Sequence, residues 1–234
     1  MVNITLIGSS HIAKDSVKSI KKEIKSQKPD IVAVELDKNR AKALFNPKPN
    51  KLTFNSIKQI GIMGFLFTFF GKILQDKLGK AVGIAPGSDM KTAMLYGSKV
   101  DAKIWLIDKD IRIIARDLST KISFYEKLKI VGSILGGVLI SPILALRKKP
   151  KKGIDLSKVP PEELITELVS EFRKRFPKLY NVLIEDRNKF MAKRISILSE
   201  ENPEGKIIVV LGAGHISGIK DILKNKYSID VQVI

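Results

Sequence analysis

The first 35 residues contain a strand–helix–strand pattern, which restricts the chain to a small group of folds. The segments NITLI (3–7) and IVAVE (31–35) are short apolar runs rich in β-branched residues, and each has the length of a buried strand. Between them, residues 13–27 carry apolar side chains at helical spacing, and Pro29-Asp30 breaks the helix. A βαβ unit of this length places its two strands parallel in one sheet. The pattern therefore predicts an α/β fold.

Two later segments repeat the alternation of helix and strand. A helix predicted at 89–99, with Ser88 as its N-cap, precedes the strand AKIWLI (102–107). Further along, the strand GKIIVVL (205–211) is followed by a loop that contains His215, by a helix and by a final short strand. These units predict a mainly parallel or mixed central sheet that is flanked by helices.

Two strongly apolar stretches interrupt this pattern. Residues 54–79 are rich in phenylalanine, and residues 124–152 include 17 consecutive positions without a charge and a Gly-x-x-x-Gly motif. Both are expected to protrude from the α/β core as helices and to form a homodimer interface. Contact with a membrane is the alternative, because the charge-free run is only slightly shorter than the ~20 residues of a membrane span.

Length and composition bound the domain organisation and the class of function. The 234 residues are predicted to form one domain (1–234) with helical insertions at about 52–80 and 122–200. The absence of cysteine excludes disulfides, zinc–thiolate sites and thiol nucleophiles, and no secretory signal pattern is visible, so a cytoplasmic location is expected. The net charge of +18 comes mainly from scattered lysines, which favours a solvated surface or an anionic membrane surface over a specific nucleic-acid site.

The chain contains only two histidines, and they occur in matching contexts. His11, in LIGSSHIAKDSV, and His215, in VVLGAGHISGIK, each follow an apolar β-branched run and end a Gly-x-x-His motif. Parallel sheets bind ligands at the carboxyl ends of their strands. Both histidines are therefore expected at one edge of the sheet, together with Glu35, the last residue of the second strand.

Other polar residues that follow strands belong to the same candidate site, although each also suits a turn or an ion pair. They are Arg40, Asp108 and Asp110. Two neutral imidazoles with one or two carboxylates are a common ligand set for a divalent metal ion that activates water. A metal-free site is equally consistent with these residues: one histidine is the general base, Glu35 orients it or acts as an acid, and loop N–H groups stabilise an oxyanion.

Four blocks of the sequence, in this order, resemble the TraB/PrgY family. They are ITLIGSSHIAKDSVKSIKKEIKSQKPDIVAVELDKNRAKAL, PGSDMKTAMLYGSKVDAKIWLIDKDIRI, EDRNKFMAKRI and VVLGAGHISGI, and the resemblance covers nearly the whole chain. That family is related to the Tiki proteins, metal-dependent peptidases with two Gly-x-x-His motifs and an essential glutamate. It is similar at a greater distance to erythromycin esterases and to the haem-binding ChaN proteins.

The resemblance implies an erythromycin esterase/ChaN-like α/β fold with one cleft. The cleft residues that it implies are His11, Glu35, Arg40, Arg187, Asn188 and His215. It also implies a hydrolase that acts on an amide or ester bond of a peptide or small molecule with the help of Mn²⁺, Co²⁺ or Zn²⁺.

Each of these residues has an expected role. His11, His215 and Glu35 are the expected metal ligands, and Glu35 is alternatively the general base. Arg187 would stabilise developing negative charge, and Arg40 and Asn188 are also expected to be catalytic residues. The expected contacts to substrate come from three aspartates, which are Asp89, Asp108 and Asp110. At Asp89 many members of the family have glutamate, so the side chain is shorter by one methylene group here.

Two other functions are consistent with the same sequence. The chain is a candidate for a non-catalytic protein that sequesters a peptide pheromone or a hydrophobic ligand between its apolar stretches. It is also a candidate for a membrane-associated dimer in which residues 54–79 and 124–147 touch lipid. Many longer relatives continue into C-terminal membrane helices, and a native chain with such a segment is expected to be membrane-associated.

Overall fold

A five-stranded parallel sheet forms the centre of the protein. The structure is a computed structural model, and it describes residues 3–9, 14–46, 87–130, 132 and 162–234. The strands are β1 (Asn3–Ser9), β2 (Ile31–Val34), β3 (Lys103–Leu106), β4 (Lys206–Gly212) and β5 (Gln232–Val233). They are arranged in the order β3-β2-β4-β1-β5, and every neighbouring pair is parallel. The predicted α/β class with a parallel sheet is confirmed.

The last long strand, β4, lies in the middle of the sheet between β1 and β2. Ile207 of β4 is paired with Ile4 on one side and with Ile31 on the other. The two strands of the first βαβ unit are therefore parallel, as predicted, but they are not neighbours. This order brings the carboxyl end of β4 next to the carboxyl ends of both β1 and β2.

Helices cover both faces of the sheet. Those with described bounds are α1 (Lys14–Gln27), α2 (Lys38–Phe45), α3 (Ser88–Lys99), α4 (Ile111–Lys121), α5 (Glu162–Arg175), α6 (Pro177–Tyr180), α7 (Asp186–Glu201) and α8 (Ala213–Tyr227). A π-helical segment, Asn181–Glu185, joins α6 to α7, and residues 124–130 are also helical. In the described ranges, no helix is long and apolar enough to cross a membrane.

The strands are apolar at nearly every position because both faces of the sheet are buried. Val209 of β4 and Ala33 of β2 pack with α7 and α8, whereas Val210 and Val32 pack on the opposite face with α1, α2 and α3. Full burial of a side chain of this type contributes about 1.5–3 kcal/mol. The two-sided core therefore fixes the sheet on which the polar edge residues stand.

Two local predictions are wrong. His215 does not lie in a loop, because Gly212 is both the last residue of β4 and the N-cap of α8, and the strand passes directly into the helix. Ser88 does not cap α3, since the N-cap is Gly87 with φ of 79°. A Cβ atom at Gly87 would lie 2.7 Å from Leu44 Cδ2, so glycine is required there both for its left-handed backbone and for its size.

The two apolar stretches fall largely outside the described residues. The segment 54–79 lies entirely outside them, and within 124–152 only residues 124–130 and 132 are described. The protruding helices, the homodimer interface and the lipid contact therefore stay predictions.

Candidate functional site

Two buried carboxylates lie next to each other at the carboxyl edge of the sheet. Glu35 follows β2, and its N–H donates to the carbonyl oxygen of Val210 at 3.1 Å. Asp108 follows β3 closely, and its N–H donates to the carbonyl oxygen of Leu36 at 3.2 Å. Both side chains are buried. The parallel arrangement of β2 and β3 brings them together, as expected for residues that follow neighbouring parallel strands.

The guanidinium group of Arg187 joins these two carboxylates. Its Nε and Nη2 donate to the two carboxylate oxygens of Asp108 at 3.1 and 2.7 Å, and Nη2 also donates to Glu35 Oε1. Burial alone would lower the pKa of Arg187, but the charges of Glu35 and Asp108 outweigh burial and place the pKa above its ordinary value. Arg187 is therefore permanently charged, and it forms charge-assisted hydrogen bonds with both carboxylates.

The π-helical turn before α7 helps to position this arginine. Arg187 Nη1 donates to the carbonyl oxygen of Leu183, at 3.0 Å, within the segment Asn181–Glu185. A π-helical turn widens the helix locally, and such turns are frequent at functional sites. The contact ties the guanidinium back to its own helix, so its direction does not depend on the carboxylates alone.

Arg40 extends the network from the opposite side. Its Nη2 donates to Asp108 Oδ2, and its Nε donates to Asp37 Oδ2 at 2.7 Å. Asp37 also caps α2, because its Oδ1 accepts hydrogen bonds from the N–H groups of Asn39 and Arg40. Burial raises the pKa of Asp108, but Arg187 and Arg40 together hold that pKa below its ordinary value.

His215 completes the cluster and is fixed by Asn188. Arg187 Nη1 lies 3.0 Å from His215 Nε2, and since a guanidinium only donates, Nε2 is the accepting nitrogen. The other nitrogen, Nδ1, carries the hydrogen and donates to Asn188 Oδ1 at 2.6 Å. His215 Nε2 is also 3.3 Å from Glu35 Oε1. In this tautomer the lone pair of Nε2 faces the guanidinium group of Arg187.

Two glycines shape the site, Gly218 because it has no side chain and Gly212 because its backbone N–H binds Glu35. A Cβ atom at Gly218 would collide with Asn188 Nδ2, so the absence of a side chain makes room for the residue that holds His215. The N–H of Gly212 donates to Glu35 Oε2 at 2.5 Å. Gly218 was not predicted to belong to the site, although a glycine inside a predicted helix is a signal of close packing.

The cluster contains one more carboxylate than guanidinium group. The carboxylates belong to Glu35, Asp37 and Asp108, and the guanidinium groups to Arg40 and Arg187. With His215 neutral, the net charge of this group is −1. Buried charges of this kind are tolerated only when they are paired and hydrogen-bonded. The net negative charge of these five groups favours the binding of a cation or of a polarised substrate beside them.

The described donors meet only part of what a metal site needs. Within the described ranges, no group of three His, Cys, Asp or Glu side chains is arranged to hold a metal ion. Glu35 and His215 have suitable donor atoms. His215 Nε2 is in contact with Arg187, however, and a metal on this nitrogen requires Arg187 to move away.

The remaining predicted residues are distributed differently. Asp110 caps α4 and pairs with Arg112 on the exposed side of the molecule, which are contacts of a helix cap. Asp89 is buried and accepts a hydrogen bond from Ser9 Oγ at the end of β1. His11 lies outside the described residues.

The family model described as TraB/PrgY/gumN matches residues 2–230. The chain belongs to this family. It is 36% identical over 95% of its length to an uncharacterised protein of Methanocaldococcus jannaschii, and 22% identical over 93% of its length to TraB domain-containing proteins of Mus musculus and Homo sapiens.

The match covers only part of each relative. This TraB-type chain spans 53% of the archaeal protein and 61% of each mammalian one. The matched range also includes the residues that we name the Arg187 cluster. They are Glu35, Asp37, Arg40, Asp108, Arg187, Asn188 and His215.

Proposed function

We propose that this TraB-type chain is a hydrolase that cleaves an amide or ester bond of a peptide or small molecule at the Arg187 cluster. The observation that carries the proposal is the convergence of three groups at the carboxyl edge of the sheet. His215 Nε2 lies 3.3 Å from Glu35 Oε1, and Arg187 contacts both side chains. A proton acceptor, a carboxylate and a fixed cation at one point are the groups that acyl-transfer chemistry requires.

In this reaction Arg187 changes partner when substrate binds. The carbonyl oxygen of the substrate takes the hydrogen bond that Nη1 gives to His215 in the structure, which leaves the Nε2 lone pair free. A water molecule then attacks the carbonyl carbon while its proton passes to Nε2, and the imidazolium pairs with Glu35. The negative charge on the substrate oxygen faces Arg187. The bond to the leaving nitrogen or oxygen breaks as that atom takes the proton from His215.

Asp108, Arg40 and Asn188 act as positioning residues. Asp108 accepts two hydrogen bonds from Arg187 and is held in place by Arg40. Asn188 accepts the Nδ1 hydrogen of His215, which fixes the tautomer in which Nε2 is the base. These contacts preorganise the charges before the reaction begins.

The alternative, metal-dependent form of the proposal replaces His215 as the base: His215 Nε2, Glu35 and His11 would then hold a divalent ion, Mn²⁺, Co²⁺ or Zn²⁺. Such an ion lowers the pKa of a bound water molecule and polarises a carbonyl group. Two of these ligands meet at the described edge, and the third lies outside the described residues. The net charge of −1 of the cluster also favours a cation.

The test is peptide and ester hydrolysis by the purified chain, measured by mass spectrometry. Reactions are run with each metal in turn and with a chelator, and elemental analysis gives the metal content. Loss of a general base or of its carboxylate partner lowers rates by about 10²–10⁴-fold, so we expect losses of this size for Glu35→Gln and for His215→Gln.

Glu126→Gln is the matched control, because Glu126 is also buried and accepts backbone hydrogen bonds from Lys178 and Leu179, away from the cluster. It is expected to leave turnover unchanged. Turnover that persists in Glu35→Gln and His215→Gln would refute the proposal. Stoichiometric peptide binding without any product would instead support the sequestering function.

A further inference from the structure

The outer surface of α1 and α3 carries lysines grouped around one tyrosine ring. The ammonium groups of Lys21, Lys25 and Lys99 lie 5.2, 5.4 and 5.0 Å from the centroid of the Tyr96 ring. Together with Lys91, Leu95 and Phe45, these residues are named the lysine face. A hydrogen bond with Lys21 is the main cause that lowers the pKa of Tyr96.

Among the described residues, no salt bridge neutralises the lysines around Tyr96. In the part of the chain that the structure describes, no carboxylate forms a salt bridge with Lys21, Lys25 or Lys99. Lys21 and Lys25 are four residues apart on α1, and like charges at this spacing repel each other. The fold therefore maintains a concentration of positive charge that an anionic partner would relieve.

Exposed apolar side chains lie among the lysines. Leu95 is 44% exposed and stands between Lys91 and Lys99, each one helical turn away on α3. Lys91 Nζ lies 5.3 Å from the ring centroid of Phe45, which is 39% exposed. Cationic head groups beside exposed apolar side chains are typical of surfaces that lie at the boundary between lipid head groups and acyl chains.

We propose that the lysine face docks this protein onto a bilayer that contains anionic phospholipids. The ammonium groups pair with lipid phosphates and carboxylates, while Leu95 and Phe45 reach the apolar boundary. A nucleic acid fits these residues less well. A single tyrosine ring among the lysines is not a platform on which successive bases stack, and a phosphodiester backbone gives the exposed apolar side chains no partner.

Two of the lysines around Tyr96, Lys25 and Lys99, lie far from the candidate active site. Lys25 and Lys99 lie in the last turns of α1 and α3, just before β2 and β3 begin. They are therefore near the amino edge of the sheet, whereas Glu35 and Asp108 lie at the carboxyl edge. Substitution of the lysines around Tyr96 leaves the Arg187 cluster intact. Membrane docking can therefore be tested independently of the proposed hydrolase activity.

The test is co-sedimentation with two kinds of vesicle, one of pure phosphatidylcholine and one with about 30% phosphatidylserine. We expect binding to the anionic vesicles at low salt and release at about 1 M salt, where the Debye length is about 3 Å. Each lysine near such a surface contributes about a fivefold gain in partition, so Lys21→Gln, Lys25→Gln and Lys99→Gln together should reduce partition roughly 100-fold.

The matched control neutralises three exposed lysines of α8, Lys220→Gln, Lys224→Gln and Lys226→Gln, and so changes the net charge equally. It is expected to reduce partition by less than about threefold. Circular dichroism melts establish that both variants fold. The proposal is overturned if the wild-type chain does not bind anionic vesicles, if both variants lose binding equally, or if the chain binds a DNA duplex through these lysines and not the vesicles.

Discussion

The Arg187 cluster and the lysine face show two opposite ways in which this protein carries charge. In the cluster, buried carboxylates form ion pairs with two partly buried guanidinium groups, and the excess is a single negative charge. On the lysine face, three ammonium groups surround Tyr96 without a salt bridge to any described carboxylate. Charge that is removed from water has to be compensated inside the fold, whereas exposed charge is compensated by water and salt. Removal of one partner from the cluster is therefore costly, whereas the lysine face is available for a partner.

The largest expected difference between the two regions is in stability. Arg187→Met leaves the buried Glu35 without its cation and leaves Asp108 with Arg40 alone, which is expected to lower the free energy of unfolding by about 3–5 kcal/mol. Lys25→Met on the lysine face should change it by less than about 0.5 kcal/mol. Urea denaturation of both variants measures the contrast, and equal losses would show that the cluster is not the more strongly coupled region.

A smaller effect is expected when the cluster is disturbed without any change of charge. The new methyl group of Gly218→Ala collides with Asn188 Nδ2, so Asn188 has to move and releases the Nδ1 hydrogen of His215. Overpacking of this kind costs about 1–3 kcal/mol.

Gly214→Ala, in the same helix, is the control for this substitution. There the nearest atom to a Cβ is Val169 Cγ2 at 3.8 Å, an ordinary contact, and alanine favours the helix by about 0.5–1 kcal/mol. Thermal melts that rank Gly218→Ala at or above Gly214→Ala would show that Asn188 is not tightly held.

Acid should destabilise the cluster and spare the lysine face. The pKa of Asp108 is lowered in the folded protein, so the unfolded chain takes up a proton first as pH falls. The stabilisation is complete above about pH 5 and is lost as pH falls through about 4 towards the folded pKa, at about 1.4 kcal/mol for each unit of difference.

Urea midpoints between about pH 2 and 6 measure this dependence. We expect Asp108→Asn to be less stable than the wild type at neutral pH and to show a flatter profile in acid. Parallel profiles for the two proteins would assign the acid sensitivity to other carboxylates.

The smallest expected effect is a gain in stability from a substitution on α1, outside the lysine face. Lys22→Glu removes the repulsion with Lys18, four residues earlier on α1, and creates attraction in its place. The expected increase in the free energy of unfolding is about 0.3–0.5 kcal/mol at low salt. The increase should disappear at about 1 M salt because these charges are exposed and screened. A gain that is insensitive to salt would have a cause other than charge repulsion.

The part of the site that follows strands was predictable from sequence. Glu35 and Asp108 come directly after apolar β-branched runs, and the geometry of parallel sheets places such residues at one edge. Arg187 and Asn188 were predictable only from the family resemblance. They lie on a helix between distant strands, and the π-helical turn at Asn181–Glu185 has no signal in local residue pattern.

Non-local pairing accounts for the rest of what the sequence did not predict. Nothing in residues 205–211 indicates that this strand separates β1 from β2, because strand order depends on contacts between distant parts of the chain. His215 was predicted in a loop from its neighbouring glycines, but packing of Ile216 and Ile219 in the core extends the helix back to Ala213. Asp37 was not predicted as part of the site, although its position as the N-cap of α2 is the kind of signal that a sequence can show.

The central place of β4 also sets an order of events during protein synthesis. Strand β1 leaves the ribosome about 200 residues, and β2 about 170 residues, before the strand that both of them pair with. Until β4 emerges, the nascent chain presents two apolar strand edges that cannot satisfy their hydrogen bonds with each other in the native arrangement. Insertion of β4 between β1 and β2 therefore precedes assembly of the Glu35–His215 pair by only a few residues of synthesis, so that chains without β4 have neither a closed core nor a candidate active site.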